Sequence, residues 1–319
     1  MINKVDLYNV TTKKSISISK DGESSLVLDS IEIEQPEITF ETYRTPFQIG
    51  ESQSSVTIGK RPVTITGYVI GPVKNSLGMS WEEYYSAQEV NIEAAKRNLN
   101  TFVSINKDLK LTFEGEYYLI GRPAGPIEYS DNESENNEVM CMFTIDLTCF
   151  FPMFRKGSGS SVDALFVENL FHFPLTIEEN NFAFGEVLKG TRAVEINNTG
   201  DESCGMTITI IFNGDVSGFS YSIQNTTTDE ELRIQFSENK TIKENSYIII
   251  NTNSGEEDII LHDSTTSEES SVVSAIDLSL DNIAFPKLVV GSNILIINDE
   301  SECDTVIQYD ELYYNISKM

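Results

Sequence analysis

Hydrolysis through a Ser-His-Asp or Cys-His pair requires a histidine, and this chain has only two, His172 and His262. His172 lies in Phe171-His172-Phe173-Pro174, an aromatic surround that suits a packed structural side chain. His262 precedes an acidic stretch. No G-x-S-x-G elbow, phosphate-cradling loop or H-E-x-x-H helix occurs. Four cysteines, Cys141, Cys149, Cys204 and Cys303, include no C-x-x-C pair and match no zinc spacing. Cys141 and Cys149 share one strand-like run, which puts them roughly 26 Å apart, too far for a disulfide. Reduced, buried thiols are expected. The cluster Asp299-Glu300-Glu302-Asp304 offers oxygen ligands for calcium, but it lacks the glycine and spacing of an EF-hand loop and reads as a solvated turn. Fifty Asp and Glu residues guarantee chance carboxylate pairs, so glycoside hydrolysis is not rejected on residue types alone. The reading is that there are no catalytic, cofactor-binding or metal-binding residues and no cofactor.

Net charge is −28, and it is uneven. Residues 1–156 carry 15 Lys+Arg against 22 Asp+Glu, whereas residues 157–319 carry 7 against 28. Such a surface repels phosphate backbones and anionic lipid, which argues against nucleic-acid and membrane partners. Apolar runs are only a few residues long, far short of a membrane span, and the N-terminus has no signal-peptide core. A protein folded in a cytoplasm is expected.

The elements that must position any site are mostly strands. Val63, Ile65 and Val69 alternate with Thr64, Thr66 and Tyr68, and Leu111, Phe113, Tyr117 and Leu119 repeat the pattern. Val139, Cys141, Phe143, Ile145, Leu147, Cys149 and Phe151 form the clearest alternating face, after a polar hairpin loop at 131–138. One helix is predicted over 80–103. Ser80 and Glu83 make a capping box, and Trp81, Tyr84 or Tyr85, Gln88, Ile92, Ala95, Leu99 and Phe102 form a stripe for burial against a sheet. A Gly/Ser-rich seam divides the chain into a domain at 1–156, a linker at 157–163 and a domain at 164–319. The second domain reads as all β, with strands through 206–212, 219–223, 232–236, 246–251, 258–262, 293–298 and 305–309, a pattern that suggests a sandwich. The Ser/Thr/Glu stretch at 263–271 reads as a mobile loop.

Several segments, taken in order, resemble the distal tail protein (Dit) family of siphophages. In the first half these are Ile58-Gly59-Lys60-Arg61-Pro62-Val63-Thr64-Ile65-Thr66-Gly67-Tyr68-Val69, the helix after it, and the closing strand at 143–154 with its aromatic-proline end. In the second half they are the segments at 194–201 and 208–214, the Asn225-Thr226-Thr227-Thr228 hairpin, and the segments at 249–255 and 285–293. The likeness runs from about residue 30 to 310, and Asn251 stands where the family commonly has Asp.

The resemblance implies a mainly β fold: an N-terminal β-sandwich-like ring domain with one helix, and a C-terminal galectin-like β-sandwich. It implies a non-enzymatic structural subunit of the virion tail tip. This subunit would form a homo-hexamer and contact the tail tube protein, a hub or fibre protein and a receptor-binding protein. The alternative is a carbohydrate-binding module that stacks sugar on an exposed aromatic. Trp81 is the single Trp and its face is expected to be packed, while Tyr313 and Tyr314 are further candidates. A cell-wall hydrolase is the third reading.

Overall fold

Alternating β-branched and aromatic residues give this chain its strands, and the distribution of those strands gives it two units. The computed structural model describes residues 2–21, 24–73, 78–132, 134–137, 139–156, 160–163, 167–168, 186–187, 190–279, 283–299 and 303–316. One compact unit is Met1–Gly157 with Tyr314–Met319, and the other is Ser158–Tyr313. His172, the 157–159 part of the expected linker, and Glu300 and Glu302 lie outside the described residues.

The first unit contains β1 (Lys4–Asn9), β2 (Lys14–Ser19), β3 (Leu26–Ile33), β4 (Ile38–Tyr43), β5 (Ser52–Ile58), β6 (Arg61–Ile70), α1 (Trp81–Phe102), β7 (Leu109–Phe113), β8 (Tyr117–Pro123), β9 (Glu128–Tyr129), β10 (Met140–Cys149) and β11 (Phe154–Lys156). The main sheet runs β11-β8-β7-β1-β2-β3-β6-β10-β9, and β8 also pairs with β10. Leu147 sits opposite Pro123 and Thr148 opposite Arg122, so the sheet curls round and closes on itself. Closure removes sheet edges that would otherwise seek partners. The longest register joins β6 to β10, from Met140 opposite Ile70 to Cys149 opposite Arg61. Along β10 the alternation expected from sequence holds from Cys141 to Cys149, all five of those residues being buried, whereas Val139 precedes the strand and is exposed.

Helix α1 begins as its residues dictate. Glu83 N–H donates to Ser80 Oγ at 3.3 Å, and Ser80 N–H donates to Glu83 Oε2 at 2.9 Å. Gln88, Ile92, Leu99 and Phe102 are buried. The helix packs so closely on the chain after β6 that a Cβ at Gly71 would collide with the Gln88 carbonyl.

The second unit contains β12 (Ser160–Asp163), β13 (Val167–Glu168), β14 (Glu186–Val187), β15 (Gly190–Asn198), β16 (Met206–Phe212), β17 (Val216–Ser217), β18 (Ser220–Asn225), β19 (Glu230–Gln235), β20 (Thr241–Ile242), β21 (Tyr247–Asn251), β22 (Asp258–His262), β23 (Glu269–Ser271), β24 (Gly291–Asp299), β25 (Cys303–Tyr309) and β26 (Leu312–Tyr313). One sheet runs β12-β25-β16-β21-β22-β23 and another β15-β24-β18-β19, with short ribbons β13-β14 and β17-β20. Ile208, Ile210, Phe212, Ile248 and Ile250 from the first sheet share one core with Tyr221, Ile223, Ile234, Leu295 and Ile297 from the second. The 263–271 stretch is not all loop, since Glu269–Ser271 adds an edge strand to β22.

Candidate interaction surfaces

Among the described residues, the groups that could do chemistry are dispersed. The His262 ring lies flat on Tyr247, with centroids 4.5 Å apart, and its Nδ1 is buried without a hydrogen-bond partner among the described residues, so no relay is assembled there. All four cysteines are free and buried. Burial pushes the Cys149 and Cys204 thiols up to about 12 and Cys303 to about 11, which keeps them protonated and poor nucleophiles. The two described members of the acidic cluster, Asp299 and Asp304, do not come together. Asp299 is buried in an ion pair with Arg192, and Asp304 lies between buried Cys303 and Thr305 on the opposite face of β25. Among the described residues no group of three His, Cys, Asp or Glu side chains is placed to hold a metal ion.

What the first unit does present is apolar surface without cover. Strands β4 and β5 form a two-stranded ribbon outside the main sheet, and Ile38, Phe40, Tyr43, Val56 and Ile58 along it are all exposed. Its tip is built rather than loose. Gln48 Oε1 accepts from both the Thr45 N–H at 3.1 Å and the Thr45 hydroxyl at 3.0 Å, while Gln48 Nε2 donates to Ser52 Oγ at 2.7 Å. Arg44 Nε donates to the Gln48 carbonyl at 3.1 Å. These bonds hold Phe47 at φ 68°, a conformation that side chains other than glycine rarely adopt. Phe47 and Ile49 are both essentially fully exposed at this tip. A bare hairpin is marginally stable in water, and exposed apolar surface of this kind marks an interaction site. The sequence carries a signal for the ribbon, the alternation of Ile38 and Phe40 and of Val56 and Ile58. Alternation implies one covered face, and no described part of the chain covers this one.

The outer side of α1 gives a second surface. Trp81, expected to be packed, is 76 % exposed, because it occupies the first helical turn and the buried stripe engages only from Gln88 onward. Its ring stacks on Tyr85 at 6.2 Å. Farther along the helix lies a groove of about 570 Å³, lined by Pro72, Val73, Met79, Ala87, Ala94 and Ala95 among others. Tyr313, another candidate from sequence, is half-buried and donates its hydroxyl to Glu311 Oε2 at 2.7 Å.

The closed sheet with one flanking helix, followed by a second unit of packed sheets, is a fold shared with solved proteins of phage tails and baseplates. No family model and no curated protein matches the chain by sequence. Among solved structures, the chain is similar to the Dit protein of phage SPP1, which is described as a paradigm of the hub adsorption apparatus of phages that infect Gram-positive hosts. The TM-score is 0.57 at 12% identity, over 97% of this chain and 98% of that one. Chains of the phage p2 baseplate in its activated conformation, with strontium and with calcium, match at a TM-score of 0.50 with 11% and 12% identity, again over 97% and 98% of the two chains.

Proposed function

We propose that this protein is a distal tail protein of a long-tailed phage, a structural, non-enzymatic subunit of the tail tip. Six copies form a ring through the first unit, which joins the tail tube protein on one face to a hub or fibre protein on the other. The acidic second unit is a galectin-like sandwich that faces outward as a platform for receptor-binding proteins. The observation that carries this reading is the correspondence of fold with SPP1 Dit over nearly the whole of both chains. The uncovered ribbon supports it, since a subunit meant for assembly leaves apolar surface for its neighbours. Negative-stain imaging of the purified protein tests it. Six-fold rings are expected, and antibody raised against the chain should label the tail tip of the intact particle. Label on the head, or on no part of the particle, would refute the assignment.

The exposed Trp81–Tyr85 stack also favours a second reading, sugar binding, although in the first unit rather than in the sandwich. Binding on a glycan array that is lost in Trp81→Ala would support it, and an array without signal would remove it.

A further inference from the structure

The ribbon tip and the α1 groove are two unsatisfied surfaces of the same unit, and their properties match. The tip segment Thr45-Pro46-Phe47-Gln48-Ile49-Gly50 contains no charged residue in a chain of net charge −28. None of the described residues that line the groove is charged either. Copies this acidic repel one another, so a contact between them is least opposed where acidic charge is missing from both partners, and the one charge bonded to the tip, Arg44, is cationic. The groove is open, with an apolar floor of Pro72, Val73, Met79 and alanines and with Ser25, Asn91 and Asn98 also lining it, whereas the tip is an apolar knob held rigidly into solvent at a backbone conformation that costs energy. Strain maintained by a dedicated hydrogen-bond brace points to a functional tip. Because Phe47 and Ile49 are fully exposed, the tip does not occupy the groove of its own chain.

We infer that Phe47 and Ile49 of one copy insert into the Pro72/Val73/Met79/Ala94 groove beside α1 of the next copy. This inference rests on the ring reading and adds the contact that closes the ring. Knob and groove are different surfaces, so the contact is head-to-tail and propagates from copy to copy until rotation closes it. A self-complementary patch would instead stop at a dimer.

The test is disulfide trapping in the full chain with Ile49→Cys and Ala94→Cys, both at exposed positions, on a background whose four native thiols are buried. Mild oxidation should give a reducible ladder from dimer to hexamer and no further, and either cysteine alone should give no ladder. In parallel, Phe47→Ser/Ile49→Ser should abolish rings in sedimentation velocity while the circular dichroism spectrum stays unchanged. Rings that persist in the double-serine variant without a ladder overturn this contact and leave the ring reading intact, with the groove free for a different tail partner. A ladder that stops at dimer overturns the head-to-tail geometry. A wild-type chain that neither forms rings nor traps overturns both.

Discussion

Arg192 and Asp299 meet inside the second unit with almost no solvent contact, at 4 % and 1 % exposure. A buried pair contributes little net stability, but breaking it strands a charge. Arg192→Met should therefore lower stability by about 3–5 kcal/mol, read as a shifted urea midpoint. The double change Arg192→Met/Asp299→Leu should recover most of that loss, and a double variant no better than the single one would contradict the account. The thiols make a second prediction. Burial raises Cys149 from an ordinary value near 9 to about 12. Above pH 9 an unfolded chain releases that proton while the folded chain keeps it, so unfolding is favoured as pH rises. The stability held by the protonated thiol is complete below pH 9 and is lost on the way to 12. Urea midpoints should fall from pH 8 to pH 10, and iodoacetamide at pH 8 should modify no cysteine until the chain is denatured.

At the scale of elements, the helix is the most legible feature of the sequence. Its capping box and apolar stripe are local, and local signals survive folding. Gly71 is not legible, because the closeness of the helix to the chain after β6 depends on a long-range approach. Gly71→Ala should force that approach apart and cost about 1–3 kcal/mol, seen as a lower thermal midpoint, and an unchanged midpoint would show that the helix has room to shift. The motif asparagines favour turns in any β protein, and in this fold they do more. Asn198 Nδ2 donates to the Leu288 carbonyl at 3.1 Å and Asn225 Nδ2 to the Lys287 carbonyl at 2.7 Å. Asn293 Oδ1 accepts from the Val289 N–H at 2.9 Å. Two weak motifs, far apart in sequence, thus converge on a third, the 285–293 segment, and their order in the chain carries more information than any one of them. The ribbon is the hardest element to read, since the short alternations Ile38/Phe40 and Val56/Ile58 look like those of a covered strand such as β6, and only the missing layer shows otherwise.

At the scale of the whole molecule, charge would set the conditions of the proposed assembly. Residues 1–156 carry a net −7 and residues 157–319 a net −21. A ring built through the first unit concentrates contacts where repulsion is least, and salt screens what remains across solvent. Apolar contacts such as those offered by the ribbon do not weaken with added salt, so association should strengthen as salt rises. Light scattering after size exclusion, at low and high salt, tests the ring most directly. The account predicts a mass six times 35.7 kDa, with the ring fraction growing as salt increases. A mass of 35.7 kDa at every salt and concentration, or rings that dissociate as salt is added, would contradict it.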